Sequence, residues 1–385
     1  MSLSETSNSA TLLISDLLEL VKSYSTPFYV YDLATLRRQC KEFENAFPYP
    51  WFQLFFATMA NDRKVVLQDL AGLEVGACVN SIPHLELALE SGFLTKRIQF
   101  TSTGVSKPDM KHLLSHGVRL NADSVNQLEQ WASLGGREVG LRVNAACLSI
   151  ERPADRIGMS LEDISLAHSS ARSHGLKISG LHVYIGTNLQ SHEQLLPTID
   201  NLFRFAEQFD DLEYINIGGG VGVNYQHKDP KFDLGAYGRA IASYHSRLTQ
   251  EIGRSLEIIV EPGRKLTASC GKMITKITDI KYLHGRRYVT VDASVAIFPR
   301  PFHHPESTHN VWLLAAEQDK VSCSSSEAVV VGRTTFSRDI LGVTMLADNI
   351  EIDDVLVFDD AGSYSQSMET RFLGQPVPVI VPVHK

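Results

Sequence analysis

The stretch Tyr214-Ile215-Asn216-Ile217-Gly218-Gly219-Gly220 is a short, largely apolar run that ends in consecutive glycines. This pattern is typical of a buried strand followed by a tight turn. Outward from it, between Leu54 and Val260, similar apolar runs alternate with longer amphipathic segments, which predicts βα units and a parallel sheet. Eight strands, the number that closes a (β/α)8 barrel, are predicted at Gln53–Ala57, Glu74–Val79, Ile98–Thr101, Val118–Asn121, Val139–Val143, Ile178–Tyr184, Tyr214–Ile217 and Leu256–Val260.

The pattern changes after Pro262, where shorter β-branched segments are separated by Gly, Pro, Asp or Asn. It predicts a second, mainly antiparallel β domain formed by the N- and C-terminal segments. Its predicted strands are Pro27–Tyr31, Met273–Ile280, Arg287–Val291, Ala328–Val331, Val355–Phe358 and Val377–Val381. The expected domains are residues 34–262 for the barrel, and 1–33 plus 263–385 for the β domain. Helices are predicted at Ser124–Leu134 and Asp163–His174, on their helical periodicity.

Composition limits the partners and the setting of this 385-residue chain. A net charge of -8 without a basic run gives no footprint for nucleic acid or anionic membrane, so neither is expected as a partner. The 5 cysteines, at positions 40, 78, 147, 270 and 323, have no paired spacing, which argues against disulfides and a zinc site. No metal site is expected. The polar segment Met1–Ala10 has no targeting signal, and a cytoplasmic setting is expected.

The residues after the last two predicted barrel strands suggest an anion site. In such barrels, functional groups gather at the carboxyl ends of the strands, and phosphate is often held after the seventh and eighth. The glycines after the seventh strand let backbone N–H groups approach an anion, although a turn without a ligand has the same pattern. Glu261-Pro262-Gly263-Arg264 follows the eighth strand. Its two charges fit either a ligand site or a structural ion pair at the domain junction.

A series of motifs in a fixed order makes the interpretation more specific. From Thr26 to the C-terminus the chain resembles the alanine-racemase-fold decarboxylases that use pyridoxal phosphate (PLP) and act on ornithine, diaminopimelate, arginine and related amino acids. The motifs are Thr26-Pro27-Phe28-Tyr29-Val30-Tyr31-Asp32, Phe56-Ala57-Thr58-Met59-Ala60-Asn61, His182-Val183-Tyr184-Ile185-Gly186-Thr187, Gly218-Gly219-Gly220, Glu261-Pro262-Gly263-Arg264 and Asp360-Ala361-Gly362-Ser363-Tyr364.

The resemblance implies a set of cofactor contacts. Glu261 matches the carboxylate that pairs with the pyridinium nitrogen and strengthens PLP as an electron sink. Alanine racemases of this fold carry an arginine there, so this residue favours a decarboxylase. Tyr364 matches a tyrosine that reaches the phosphate across a dimer interface, which implies a homodimer or a heterodimer. The residues that match the phosphate-binding positions are Gly218, Gly219, Gly220, Arg264 and Thr187, the last in place of a serine.

The chain departs from the family at its reaction centre. Met59 occupies the position of the lysine that holds PLP, and methionine cannot form a Schiff base or transfer a proton. We therefore expect PLP to bind non-covalently. The alternative interpretation is that this methionine only fills a hydrophobic core at the end of the strand. Lys64, the nearest amine, is expected at the start of a helix, pointing elsewhere.

Three other positions near the expected cofactor also differ or are ambiguous. Tyr184 stands where many relatives stack a histidine on the pyridine ring, and it can still stack. His182, two residues earlier, is interpreted as a buried, hydrogen-bonded histidine. Cys78 takes the place of an acidic residue if Ser81 matches the serine after the second strand, which makes it a small buried thiol without a negative charge.

The C-terminal part has lost a second reactive group. Thr335 aligns with the catalytic cysteine, and its hydroxyl does not titrate usefully. Phe336 stands where diaminopimelate decarboxylases carry a glutamate for the distal amine, so it argues against a distal ammonium there. Arg300 fits the arginine that holds a substrate carboxylate in some relatives, or it is a surface residue. His304 replaces the tyrosine expected four residues later; with His303, these groups leave room for a carboxylate-bearing or larger substrate.

The leading hypothesis is an enzyme, a PLP-dependent amino acid decarboxylase or divergent relative, natural or altered at position 59. It would act on an amino-acid-type substrate through an external aldimine, without the covalent lysine anchor. The alternative is a catalytically silent PLP-binding protein or the heterodimer partner of an active homologue. A third reading is a barrel that binds another phosphorylated ligand, against which Glu261 counts.

Overall fold

The computed structural model describes residues 12–149, 152, 155–226, 231–306, 308–315 and 324–384. The segment Met1–Ala10 and Cys323 lie outside the described residues. The described residues within Met1–Gln39, Asn224–Pro230 and Leu266–Lys385 form one compact unit, here the β unit. Those within Cys40–Val223 and Lys231–Lys265 form the other, here the barrel unit. The four cysteines of the described part are free thiols, and no helix in this part is long and apolar enough to cross a bilayer.

Strands and helices are numbered along the chain. The strands are β1 (Phe28–Asp32), β2 (Phe52–Ala57), β3 (Gly76–Val79), β4 (Ile98–Thr101), β5 (Arg119–Ala122), β6 (Glu138–Asn144), β7 (Lys177–Tyr184), β8 (Tyr214–Asn216), β9 (Glu257–Val260), β10 (Gly271–Leu283), β11 (Arg286–Val291), β12 (Val311–Leu314), β13 (Ser325–Val331), β14 (Ile340–Ala347), β15 (Val355–Phe358) and β16 (Val379–Val383). The helices are α1 (Ile14–Ser23), α2 (Leu33–Ala46), α3 (Lys64–Gly72), α4 (Ile82–Glu90), α5 (Lys107–His116), α6 (Val125–Ser133), α7 (Ala145–Leu148), α8 (Leu161–Ser173), α9 (Leu196–Ala206), α10 (Leu234–Ile252), α11 (Arg264–Thr267) and α12 (Arg300–His303).

The strands β2 to β9 form a closed parallel barrel. Each pairs with the next, and β2 closes the ring by pairing with β9 in the register Phe52↔Ile258. The prediction of eight barrel strands and the (β/α)8 fold class are confirmed. Because all eight are parallel, their carboxyl ends meet at one mouth, where a functional site is expected.

Helix-capping residues set the starts of the two helices predicted from sequence. Helix α6 begins after Ser124, whose hydroxyl accepts a hydrogen bond from the N–H of Gln127 (3.2 Å). Helix α8 begins two residues before the predicted start, because Ser160 and Asp163 form a reciprocal capping box. Both helices are confirmed, with boundaries moved by their caps.

A tyrosine fills the interior of the barrel. The ring of Tyr214 is fully buried and packs with Phe55 and Ile259. A side chain at Gly180 would lie 2.1 Å from that ring, so glycine at this strand position is required by the packing. The Tyr214 hydroxyl donates to Asn121 Oδ1 (2.6 Å), which satisfies the one polar atom of a large buried ring.

The β unit contains an eight-stranded sheet with the path β12-β15-β10-β11-β13-β14, to which β1 adds through β10 and β16 through β1. Most pairs are antiparallel, while β1 with β16 and β11 with β13 are parallel. The prediction of a mainly antiparallel domain from both chain ends is confirmed. Its core includes Phe28, Ile274 and Val357.

Two strands of this sheet, β12 and β14, were not predicted from sequence. Strand β12 is only four residues long, near the lower limit for a recognisable pattern. Strand β14 leaves Ile340, Val343 and Met345 between 42% and 58% exposed, so its apolar residues do not mark a buried face. Periodicity could not identify this strand, because apolar and polar residues do not alternate along it as they do in a half-buried strand.

Candidate functional site

A column of amide side chains runs through the barrel to its mouth. Asn216, at the end of β8, is fully buried. Its amide nitrogen donates to Gln99 Oε1 (2.8 Å) and to Glu261 Oε1 (2.5 Å), and its carbonyl oxygen accepts from the Gly218 N–H (2.9 Å). Both amide hydrogens and the amide oxygen are thus used. This one side chain fixes the carboxylate and the glycine turn relative to each other.

Glu261 is the buried anion of the mouth, only 6% exposed. Burial by itself would raise its pKa, but the hydrogen bonds that the carboxylate accepts from His182, Asn216 and Cys78 outweigh burial and hold the pKa below its usual value. The carboxylate is therefore ionised at neutral pH. A buried charge with donors on both oxygens is suited to a cationic partner.

His182 is the neutral partner of this carboxylate. Its Nε2 lies 3.3 Å from Glu261 Oε2, and burial lowers the histidine pKa below its ordinary value. Because a carboxylate oxygen only accepts, Nε2 carries the proton and donates it. The interpretation as a buried, hydrogen-bonded histidine is confirmed by this contact.

Cys78 is the third group against the carboxylate. Burial and the charge of Glu261 raise the pKa of the Cys78 thiol well above its usual value. The thiol stays protonated and serves as a hydrogen-bond donor to Glu261. A thiol at this point adds a weak donor to the Glu261 carboxylate and no further negative charge.

The glycine turn after β8 needs its glycines for two separate reasons. Gly218 has φ 68, a left-handed conformation that favours glycine. A side chain at Gly219 would lie 2.3 Å from the carbonyl oxygen of Glu261. The Gly218 N–H is already donated to Asn216, whereas the N–H groups of Gly219 and Gly220 have no acceptor within the described part of the chain. Two amides are thus available to an anion.

Thr187, Arg264 and Tyr184 also belong to the barrel unit. Arg264 is 6% exposed, and its Nη2 lies 3.5 Å from the hydroxyl of Thr187. Tyr184 ends β7 and is half-buried, with the Arg142 guanidinium 5.9 Å from its ring centroid. Burial raises the pKa of Tyr184, so its hydroxyl stays protonated and neutral.

Met59 is not a core residue. It lies in a single 3₁₀ turn, Thr58–Ala60, directly after β2, and is 48% exposed. Its sulfur lies 3.7 Å from Asn80 Nδ2. The expectation that it fills a core is wrong, because the chain leaves the strand before this residue. Lys64, by contrast, begins α3 as expected, with its amine 3.4 Å from Glu90.

Met59 is next to a polar cluster that was not predicted from the sequence. The Thr58 hydroxyl and Asn80 Oδ1 lie 3.3 Å and 2.9 Å from His84 Nδ1, and His84 Nε2 lies 3.9 Å from Asp62. Burial alone would raise the pKa of Asp62, but the nearby His84 and the hydrogen bonds from Arg63 lower it. Asp62, which is anionic, lies three residues after Met59, and this closeness in sequence was the one sign of the cluster that the sequence offered.

The proposed residues of the C-terminal part lie in the β unit. Thr335 is exposed and Phe336 is half-buried on the loop that the Asp339 carboxylate organises by accepting from the Thr334 N–H (3.1 Å). Phe336 packs against Phe302 at 5.7 Å between ring centroids, in an apolar setting. A phenyl ring at this position offers no carboxylate to pair with an ammonium group.

Arg300 is almost completely buried, at 1% exposure, so its reading as a surface residue is wrong. Its guanidinium carbon lies 3.3 Å from the ring centroid of Tyr225, and Nη1 lies 3.2 Å from His309 Nε2. His304 ends α12 with Nδ1 3.4 Å from Glu306. Tyr364 is half-buried with φ 54, a conformation rare for a bulky side chain and often found at functional positions.

The family described as "Pyridoxal-dependent decarboxylase, pyridoxal binding domain" matches residues 33–268 of this chain, well over half of its length. The chain belongs to this family. The matched region spans the barrel unit and is the pyridoxal-binding domain of the family.

The chain is similar to diaminopimelate decarboxylases over almost the full length of both proteins. The Methanothermobacter thermautotrophicus protein is 27% identical, covering 96% of this chain and 90% of the relative. The Zymomonas mobilis protein is 28% identical, covering 95% and 90%. The fold matches diaminopimelate decarboxylase from Helicobacter pylori complexed with L-lysine (TM-score 0.86, 24% identity, 95% and 94% covered). It also matches lysine/ornithine decarboxylase from Vibrio vulnificus complexed with putrescine (TM-score 0.85, 18% identity, 97% and 99% covered).

The groups of the barrel mouth fit PLP in two respects. An ionised, buried carboxylate suits a pyridinium, and two glycine amides without acceptors suit a phosphate. Glu261 and the glycines were predicted from the sequence, but Asn216, which is hydrogen-bonded to both Glu261 and Gly218, was not. A polar residue inside an apolar strand, two positions before the glycines, was the signal that could have identified it.

Proposed function

We propose that this chain binds PLP non-covalently in the barrel mouth and acts on an amino acid as a slow, divergent decarboxylase. The ionised carboxylate of Glu261 carries the proposal, because a buried anion at the mouth has little use without a cationic ligand group. In the family such a carboxylate pairs with the pyridinium nitrogen. When bound, PLP supplies an electron sink for the charge left by departing carbon dioxide.

The residues around the ring would set its protonation. Glu261 would keep a proton on the ring nitrogen, while neutral His182 and the protonated Cys78 donate to the carboxylate without adding positive charge. The carboxylate therefore retains its full charge for the ring. Gly219, Gly220 and Arg264 would hold the phosphate through two amides and a guanidinium.

Position 59 determines the rate. A lysine there would hold the cofactor before the substrate arrives and would release the product afterwards. Methionine can do neither, so bound cofactor would be held only by non-covalent contacts. We therefore propose slow turnover and slow product release rather than a rapid cycle.

The β unit bears on the substrate and on assembly. The aromatic packing of Phe336 and the Arg338 guanidinium, 5.5 Å from the Phe336 ring centroid, disfavour a distal ammonium and favour a neutral or carboxylate-bearing side chain. Arg300 and His304 are proposed for the same carboxylate role. Tyr364, by its resemblance to an interface tyrosine, supports a homodimer.

A second candidate is a catalytically silent PLP-binding protein, paired with itself or with an active homologue. The changes at Met59 and Thr335 together favour it, because both remove a titratable group while the carboxylate and the glycine turn remain. In that case the protein would bind the cofactor without turnover.

The direct experiment is Met59→Lys, with Met59→Gln as a length-matched control without a chemically reactive amine. We expect Met59→Lys to form an imine with PLP that borohydride reduces to a stable adduct, detected by absorbance and intact mass. We also expect this variant to release carbon dioxide faster from a panel of amino acids. Wild type and Met59→Gln should release PLP intact on acid treatment.

The outcomes separate the candidates. Lysine restoration that forms the adduct but gives no decarboxylation from any amino acid supports the silent PLP-binding protein. Absence of PLP binding in both wild type and Met59→Lys contradicts the proposal itself. A covalent adduct in wild type would contradict the non-covalent mode.

A further inference from the structure

Two histidines and a glutamate converge from the helices α4 and α5. His112 and His116 lie one turn apart on α5, and Glu86 lies on α4. One ligand atom from each of the three side chains lies within 4.8 Å of the other two. The two imidazole rings have centroids 4.5 Å apart. Residues at i and i+4 face the same side of a helix, so this spacing aims both rings at one point.

The backbone that carries these groups is held firmly. Helix α5 starts in a capping box formed by Ser106 and Asp109 and ends at Gly117, which adopts the left-handed conformation (φ 66). The buried side chains of Met110 and Leu113 anchor its inner face. The ligands therefore project from a fixed helical segment rather than from a loop, which lowers the entropy lost on binding an ion.

Hydrogen bonding prepares the histidines as ligands. The His116 Nδ1–H donates to the carbonyl oxygen of His112 (3.0 Å), which leaves the Nε2 lone pair available. His112 Nε2 lies within hydrogen-bond distance of Glu86 Oε1, and because a carboxylate oxygen accepts, the ring N–H donates to it. A metal ion could replace this proton and would bind both partners at once.

We propose that His112, His116 and Glu86 form a binding site for a divalent transition metal of the zinc class. Two imidazole nitrogens and a carboxylate oxygen suit Zn²⁺, Co²⁺, Ni²⁺ or Cu²⁺ and do not suit Ca²⁺ or Mg²⁺, which prefer all-oxygen sites. The side chains of His112 and Glu86 are 36% and 45% exposed, which leaves room for water as a further ligand. The ion would link α4 to α5 and stabilise this pair of helices.

The test is a Co²⁺ titration of the full-length, tag-free protein, followed by competition with Zn²⁺. Visible d–d bands report coordination number, and the absence of thiolate charge-transfer bands excludes the exposed Cys147 as a ligand. We expect one site per chain, displacement of Co²⁺ by Zn²⁺, and a rise of the melting temperature on adding Zn²⁺. Loss of groups that merely support a metal ligand costs about 10–100-fold in affinity, so His116→Ala and Glu86→Gln should lose at least about tenfold.

His174 offers a matched control. Its Nδ1–H donates to the Ser170 carbonyl oxygen (2.9 Å) at the end of α8, as His116 does on α5, but a serine stands four residues before it. His174→Ala should bind Co²⁺ like wild type. Lack of a stoichiometric site in wild type, or unchanged affinity in both His116→Ala and Glu86→Gln, would overturn the proposal.

Discussion

Glu261→Gln tests the central electrostatic assignment of the barrel mouth. The substitution keeps the shape of the side chain but removes its charge, and it points an amide N–H₂ at the donors Asn216, His182 and Cys78. Hydrogen bonds to charged groups contribute about 1.5–3 kcal/mol each. Loss of a single charged pair with the pyridinium therefore weakens PLP binding by about 10- to 150-fold.

The stability of the free protein should change less than the affinity. The variant loses the charge-assisted bonds from Asn216 (2.5 Å) and His182 (3.3 Å), but it no longer buries a charge. These effects oppose each other, so we expect the variant to fold, with a free energy of unfolding lowered by less than about 3 kcal/mol. Urea unfolding without PLP measures this change.

The assay is a PLP titration followed by absorbance and protein fluorescence. Glu257→Gln is the matched control, because it removes a carboxylate charge at the start of β9, the strand that Glu261 directly follows, at a position whose side chain is 47% exposed. We expect its PLP affinity to equal that of wild type. A folded Glu261→Gln protein whose dissociation constant lies within about threefold of wild type would refute the pairing of this carboxylate with the ring.

Two further predictions concern stability and the glycine turn. Burial lowers the pKa of His182 and His245, so the native state holds both neutral while the unfolded chain protonates them below about pH 6.5. The free energy of unfolding should therefore decrease as the pH falls below that value, by up to about 1.4 kcal/mol per pH unit for each histidine. His182→Gln should make the free energy of unfolding, measured in urea, depend less steeply on pH between about pH 7.5 and 5.5. Equal slopes for this variant and wild type would contradict this account. Gly219→Ala should lower the free energy of unfolding by about 1–3 kcal/mol and weaken PLP binding, because the added carbon lies 2.3 Å from the Glu261 carbonyl oxygen. Gly104→Ala, which meets nothing within 4 Å, should leave both unchanged in the same two assays.

The barrel strands were predictable because each one is a short apolar run bounded by turn residues, a local property of the chain. Strand β14 was not, since its exposed Ile340, Val343 and Met345 carry no periodic signal. The core-filling alternative for Met59 failed for a related reason. Burial depends on whether the chain stays in the strand, and here a 3₁₀ turn takes over at Thr58.

The candidate site was predictable where its residues stand in contiguous motifs, as with Glu261 and the glycines. It was not predictable where distant residues meet. The contact of Asn216 with Gln99, 117 residues apart in sequence, and the pairing of Glu86 with His112 exist only once the barrel closes. The spacing of His112 and His116 was visible in sequence, but the third ligand was not.

The sequence alone determined the barrel, the second, mainly antiparallel sheet and the order of the motifs shared with the family, and it revealed that methionine stands where an amine is expected. These properties depend on hydrophobic periodicity and on ordered motifs, which are local. Only the tertiary structure decided that Glu261 is ionised, that Gly218 donates its N–H to Asn216, and that the N–H groups of Gly219 and Gly220 have no acceptor among the described residues. Charge state and hydrogen-bond availability depend on burial and on partners from other strands, so the folded barrel alone could settle them.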